Sequence, residues 1–308
     1  MIKIGICSTS NINHRFILGA SYVKDADVCA ISSRNYDKAK AFCQKYPNIQ
    51  PYQDYEQMLN GDIDAVYISS PNFMHYEHVI MALKHHKHVI CEKPMMLNKE
   101  EIIKAFELAR NNGLVLMEAS KGNFLPTTLK ALEFIKTNDL KINSIYATYG
   151  KNNLEVFKTG WHSDIRLGGG ASYDIGVYPI SFIQMIANDQ IKKIDTDKQM
   201  LGNIDIHTKA DMVFNNGIKA KMIASVSLDL DNIAIIETDK AIIRIENYWK
   251  SNRMTINDKE YYFEHHNAEF QYEIASFIET IKNHDVENNI MDEKRSLAIM
   301  DILQMIID

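Results

Sequence analysis

Over the first 120 residues, short apolar runs of strand length alternate with stretches whose apolar residues recur at helical spacing. Few folds accommodate that alternation. Residues 2–7 read as a strand, Ser8-Thr9-Ser10-Asn11 as a polar turn, and Phe16, Ile17, Ala20 and Val23 then share one helix face. Strands follow at Asp27–Ser32, Ala65–Ser69, His88–Glu92 and Leu114–Glu118. Helices lie between them at Asp37–Tyr46, Tyr76–His86 and Lys99–Asn112, the last with Asn98 as its N-cap and Gly113 closing it. Strand-helix alternation with unbroken apolar strands predicts a doubly wound parallel sheet, covered on both faces.

Past residue 120 the pattern changes. A helix near Leu125–Lys136 is followed by candidate strands with little helix between them: Ser144–Gly150, Lys193–Leu201, Lys209–Phe214, Lys219–Ser227, Asn232–Glu237 and Ala241–Glu246. Asn215-Asn216-Gly217 between two of these is a hairpin turn signal. Such runs predict an α+β domain with a large, mainly antiparallel sheet, closed by helices at about Ala268–Asn283 and Glu293–Ile307. The expected division is 1–120 for the first domain and 121–308 for the second, in line with a prior of roughly 150 residues per domain.

Composition narrows the function classes. With 46% apolar and 24% charged residues the chain is ordinary for a globular protein, and no apolar run has the length of a membrane span. A formal net charge of -6 argues against nucleic acid or an anionic membrane as partner. The first residues alternate like a strand and do not read as a signal peptide. Cys7, Cys29 and Cys91 fall on predicted strands and Cys43 on a predicted helix, none in CxxC spacing. They read as free thiols of a cytoplasmic protein, and no histidine, cysteine or acidic cluster suggests a metal.

In a doubly wound sheet, ligands gather at the carboxyl ends of the strands. The first strand-turn-helix is where a dinucleotide-binding fold places its pyrophosphate. The usual G-x-G-x-x-G appears here as Ser8, Ser10 and Asn13, a poor match, although backbone N–H groups at a helix N-terminus attract anions whatever the side chains. Ser32-Ser33-Arg34 ends the second strand. Arg34, with Lys38 beyond it, suits a 2′-phosphate and so NADP over NAD; two exposed basic residues beginning a helix would look the same. Glu92-Lys93-Pro94 ends the strand from His88, and Pro94 disfavours the α conformation at Lys93. An ammonium held there can donate or accept a proton, or be merely solvated.

Three motifs in order carry a family resemblance. Ser69-Ser70-Pro71-Asn72 with His75, then Glu92-Lys93-Pro94, then Gly168-Gly169-Gly170-Ala171-Ser172-Tyr173-Asp174-Ile175-Gly176-Val177-Tyr178 resemble the Gfo/Idh/MocA oxidoreductases nearly end to end. The resemblance implies a Rossmann domain, a second domain with an open antiparallel sheet, an NAD(P) cofactor, and assembly through that sheet as a homodimer or homotetramer. It implies cofactor contacts from Ser8, Thr9, Ser10, Asn11, Ile12, Ser33, Arg34, Lys38, Ser69, Ser70, Pro71, Asn72, His75, Glu92 and Lys93. Lys93 matches the lysine that polarises the reacting oxygen, and Asp174 the aspartate of the later motif. Where much of the family has D-x-x-x-H, Tyr178 stands in the histidine's place, as in the branch of glucose–fructose oxidoreductase and dimeric dihydrodiol dehydrogenase. Trp161-His162 stands where that branch tends to show Trp-Arg, and both are expected at the substrate.

The spacing has its own chemistry. Gly168-Gly169-Gly170 reads as a flexible approach to a helix running through Ile186, and Asp174 and Tyr178, four apart, share one face of it. A tyrosine is a weak base near neutrality unless a cation stabilises its phenolate, a part Lys93 can take, with Asp174 holding the lysine. Two functions follow: an NAD(P)-dependent dehydrogenase or reductase acting on a CH–OH group of a sugar, polyol or cyclic alcohol, or a non-catalytic dinucleotide-binding regulator. Lys93, Asp174 and Tyr178 favour the enzyme; the serine-substituted loop leans the other way.

Overall fold

The structure, a computed structural model, describes residues 1–308. It divides into two compact units: Met1–Ala119 with His266–Ser296, and Ser120–His265 with Leu297–Asp308.

The first unit follows the expected alternation. Its strands are β1 (Ile2–Cys7), β2 (Ala26–Ser32), β3 (Gln50–Tyr52), β4 (Ala65–Ile68), β5 (His88–Glu92) and β6 (Leu116–Ala119). Helices α1 (Asn13–Ala20), α2 (Tyr36–Cys43), α3 (Tyr55–Leu59), α4 (His75–Lys84) and α5 (Lys99–Asn111) connect them. The strands form one parallel sheet in the order β3-β2-β1-β4-β5-β6. Ile4, Ile6, Val66, Ile68, Val89, Ile90 and Leu116 are fully buried, as a sheet covered on both faces requires. The strand order reverses between β1 and β4, the place where such sheets open a binding crevice. Asn98 caps α5 by accepting from the Glu101 N–H at 2.9 Å. The sequence reading had no β3 or α3; a three-residue edge strand holding Pro51 and a five-residue helix are too short for a period to show.

The second unit begins with α6 (Pro126–Thr137) and β7 (Ile142–Gly150), then α7 (Val177–Ala187), then β8 (Ile191–Leu201), β9 (Ile204–Phe214), β10 (Lys219–Ser225), β11 (Ile233–Thr238), β12 (Ile242–Glu246), β13 (Arg253–Ile256) and β14 (Lys259–Tyr262). These strands form an eight-stranded sheet in the order β14-β13-β12-β11-β7-β10-β9-β8. Every pairing is antiparallel except β7 with β10. The β13–β14 hairpin was not anticipated. Its turn residue Asn257 has φ 51°, a conformation asparagine tolerates.

Helices α8 (Phe270–Lys282) and α9 (Glu293–Ile307) close the chain. The second domain, expected over 121–308, is interrupted here, because residues 266–296 return to the first unit. Helix α8 lies against α1 closely enough that a Cβ on Gly19 would meet the Phe270 Cβ at 2.6 Å. Phe270 sets its ring edge-on to Phe16, and Arg15 pairs with Glu269. No helix is long and apolar enough to cross a membrane.

Candidate functional site

In the first unit, the carboxyl ends of β1, β2 and β4 open on a cavity of about 450 Å³. Ser8 and Thr9 come to its wall from the turn after β1, Ser33, Arg34 and Lys38 from the end of β2 and the start of α2, and Ser70 and Pro71 from the end of β4. Cys7 and Ser32 end β1 and β2 at that wall, and Asn35, Tyr55, Met74 and His78, which were not expected, complete it. Ser10, Asn11, Ile12, Ser69, Asn72, His75, Glu92 and Lys93 do not line it.

The serine-substituted turn has the shape its glycine counterpart would take. Ser8 has φ 92°, a region L-residues other than glycine rarely adopt. Its N–H donates to the Ser32 carbonyl at 3.0 Å, tying the turn to the next strand. Asn13, fully buried, donates from its amide to the Ser8 carbonyl at 2.7 Å and accepts from the Ser69 hydroxyl at 2.7 Å. The third position of the motif thus carries a buried staple between the turn and β4. His75, also buried, sets one ring nitrogen 2.8 Å from the Ser70 carbonyl and the other 2.9 Å from the Pro94 carbonyl, bracing the cavity loop against the turn after Lys93. Its pKa is lowered, chiefly by burial. Burial and the nearby His75 and Arg34 charges also lower His78, to about 4, so at the cavity wall it is neutral.

This wall fits a dinucleotide carrying a 2′-phosphate. Two cations stand at the end of β2 beside small hydroxyl side chains, and the turn after β1 leaves room for backbone approach.

Lys93 follows β5 at the lip of the same sheet. Glu92 beneath it accepts from the buried Tyr67 hydroxyl at 2.6 Å and from the Lys93 N–H at 3.3 Å. Glu118 on β6 accepts from the Met95 N–H at 3.2 Å. Burial raises its pKa to about 7 against hydrogen bonds from Ser296 and Met95, with Glu92 adding like charge.

In the second unit, the glycine triplet is not a flexible approach. Gly168 and Gly170 have φ of 75° and 93°, and a Cβ on Gly169 would lie 2.4 Å from the His162 carbonyl oxygen. The triplet packs directly on the backbone of Trp161-His162, and the Gly170 N–H donates to that carbonyl at 3.2 Å. The expected single α-helix is also corrected. Ser172–Gly176 is a π-helical turn, and only from Val177 does α7 run. Pro179 has no N–H for the Ile175 carbonyl, which removes an α-helical bond at this join. Asp205, not anticipated and buried on β9, accepts at one carboxylate oxygen from the Ser172 N–H, the Ser172 hydroxyl and the Thr208 hydroxyl at 2.9, 2.7 and 2.5 Å. It fixes the start of the turn.

From Gly168 to Ala187 every residue is buried except Asp174 and Tyr178. Trp161 and His162 stack with ring centroids 3.8 Å apart. His162 is half-buried and its pKa is lowered by burial, opposed by the Asp174 carboxylate. Tyr149 and Trp249, stacked at 4.0 Å, stand beside Tyr178 at 5.2 and 5.9 Å. Lys121, in the short turn after β6, points its Nζ to within 3.4 Å of the Tyr178 hydroxyl. Sequence reasoning missed it, because a single lysine before a predicted helix carries no periodic or motif signal.

Residues 2–120 match the family model described as "Oxidoreductase family, NAD-binding Rossmann fold", and residues 129–244 match the GFO/IDH/MocA C-terminal domain. The trans-1,2-dihydrobenzene-1,2-diol dehydrogenase of Xenopus tropicalis is 31% identical over 85% of this chain and 81% of its own. The scyllo-inositol 2-dehydrogenase (NADP(+)) of Bacillus subtilis is 34% identical over 58% of this chain and 56% of its own. Among solved structures, a 3-ketoreductase of Actinomadura kijaniata in complex with NADP and TDP-benzene superposes with a TM-score of 0.86 at 21% identity, covering 99% of this chain and 96% of the other.

Proposed function

Because this chain belongs to the GFO/IDH/MocA family of NAD(P)-dependent oxidoreductases, we propose that it moves a hydride between NADP and a hydroxyl or ketone of a sugar, polyol or related cyclic alcohol. The observation that carries the catalytic reading is the exposure pattern of the later motif. In a segment otherwise buried from Gly168 to Ala187, only Asp174 and Tyr178 reach solvent. A packing role would bury them with the rest.

When bound, the dinucleotide supplies the hydride chemistry. Arg34 and Lys38 would hold its 2′-phosphate, Ser8, Thr9, Ser33 and Ser70 its phosphate and sugar hydroxyls. Lys93, carried on a strand end and backed by Glu92, would polarise the reacting substrate oxygen. Tyr178 would give or take that oxygen's proton, and Asp174 with His162 would orient the substrate hydroxyls. The relatives' substrates, a cyclic diol and an inositol, support vicinal hydroxyls on a ring as the substrate class.

The feature that favoured a non-catalytic regulator was the serine-substituted loop. It carries less weight here, since Ser8 takes a φ of 92°, in the region that favours glycine. Four free cysteines support a cytoplasmic protein, and family likeness supports a homodimer or homotetramer assembled through the eight-stranded sheet. The test is dinucleotide reduction across inositols, pentoses and cyclic trans-diols with NADP and NAD in parallel. Turnover on at least one ring polyol, faster with NADP, is expected; none across the panel in either direction would overturn the proposal.

A further inference from the structure

We propose that Lys121 is a positioning residue for the proton transfer, its ammonium stabilising the Tyr178 phenolate and so setting the pH at which that hydroxyl exchanges its proton with substrate. This rests on Tyr178 being the proton-transfer group, as argued above.

Three observations carry it. Lys121 is 3% exposed, so its charge is not spent in bulk water. Its Nζ lies 3.4 Å from Tyr178 Oη and 5.0 Å from the ring centroid, so one ammonium meets both the oxygen and the ring of the same phenol. The turn that carries Lys121 is tied to the helix that carries Tyr178: the Ser120 hydroxyl lies 2.7 Å from the Ser181 hydroxyl, and the Asn123 amide donates to that hydroxyl at 2.9 Å. The Thr128 hydroxyl closes the turn on the Gly122 carbonyl at 2.7 Å. Placement of the cation is therefore built into the fold.

The elements packed against Tyr178 bring further titratable groups. Strand β7 brings the Tyr149 phenol. The segment after β12 brings Tyr248, which burial keeps neutral, and Lys250, over the far ring of Trp249 at 6.0 Å. Strand β10 meets this segment with Met222 and Ala224, and Asp174 lies on the segment itself. Lys121 places its cation 3.4 Å from the phenol oxygen.

An opposite charge within about 4–6 Å favours the ionised form by roughly 1–3 pH units. In the oxidative direction the substrate O–H bond breaks and the Tyr178 O–H bond forms; in the reductive direction the reverse occurs. The dinucleotide balances the two electrons as hydride.

The experiment is the pH profile of kcat/KM for polyol oxidation with NADP in wild type, Lys121→Met, Lys121→Arg and Tyr178→Phe, with Lys121→Gln standing in if the methionine variant does not fold. Lys121→Met should move the rising limb up by about 1–3 units, a loss of roughly ten- to a thousandfold below the limb, and Lys121→Arg should restore most of it. A near-ultraviolet difference titration against Tyr178→Phe, in each Lys121 background, should show the same shift without turnover. If Tyr178→Phe abolishes the limb but Lys121→Met leaves it in place, this inference fails and the function stands. If Tyr178→Phe keeps both rate and limb, the role of Tyr178 fails, and this inference with it.

Discussion

Replacing Asp205 tests how the polar face of the second unit is held. One carboxylate oxygen accepts three hydrogen bonds, from the Ser172 N–H and the Ser172 and Thr208 hydroxyls, while the other is buried without a partner. Asp205→Ala leaves all three donors in a buried site. Each is worth about 1–3 kcal/mol when orphaned, but the two hydroxyls can rotate toward other acceptors and the backbone N–H cannot, so the loss should be about 3–5 kcal/mol. Asp205→Asn keeps a carbonyl oxygen for the N–H and sets an amide where the unpartnered oxygen stood, at a cost of about 1–2 kcal/mol. The chain's two tryptophans, Trp161 and Trp249, both lie in the second unit, so tryptophan fluorescence during urea unfolding reads that unit alone. Because Asp205 anchors the turn that presents Asp174 and Tyr178, the folded Asn variant should also lose kcat while binding NADP normally. An Ala variant within 1 kcal/mol of wild type, a margin below one orphaned donor, would refute the reasoning.

Three further outcomes follow from the same geometry. Lys93→Met should cut kcat at least about thirtyfold, the equivalent of ~2 kcal/mol of transition-state stabilisation, with NADP affinity little changed since Lys93 does not line the cofactor cavity. Arg34→Ala should weaken NADP about ten- to a hundredfold and leave NAD nearly untouched, read by titrating both dinucleotides. Glu118 gives a stability slope: its folded pKa is raised from 4.5 to about 7. Between these values the unfolded chain releases a proton that the folded chain keeps, so stability should fall by about 3 kcal/mol across that window and level off above it. Glu118→Gln should flatten the fall in urea melts from acid to neutral pH.

The parallel sheet was legible because strands buried on both faces leave short unbroken apolar runs, whereas amphipathic helices leave a helical period. The ordered motifs put Lys93 at the end of β5, whereas Asp174, expected on one helix with Tyr178, falls in the π-helical turn before α7. What the sequence hid was three-dimensional. The return of α8 to α1 depends on Gly19 meeting Phe270, a contact between residues far apart in the chain. The π-helical turn before α7 comes from how a proline and a glycine triplet pack, and an i,i+4 rule reads straight through it. Asn13 looked like a defect in a phosphate loop and is a staple, which its partners Ser8 and Ser69 alone reveal. Lys121 and Asp205 reach the site from a short turn and from β9, and no local pattern marks either.

We propose that hydride passes from a carbinol carbon to the dinucleotide and that Lys93 and Tyr178 both serve that step. It is tested most directly with a ring polyol carrying deuterium on the carbinol carbon that is oxidised, following the label by mass spectrometry. In wild type the deuterium should appear in the nicotinamide ring of the reduced dinucleotide. In Tyr178→Phe it should transfer about a hundred- to ten-thousandfold more slowly, and in Lys93→Met it should be nearly absent. A reduced dinucleotide without label, or transfer at the wild-type rate in both variants, would contradict it.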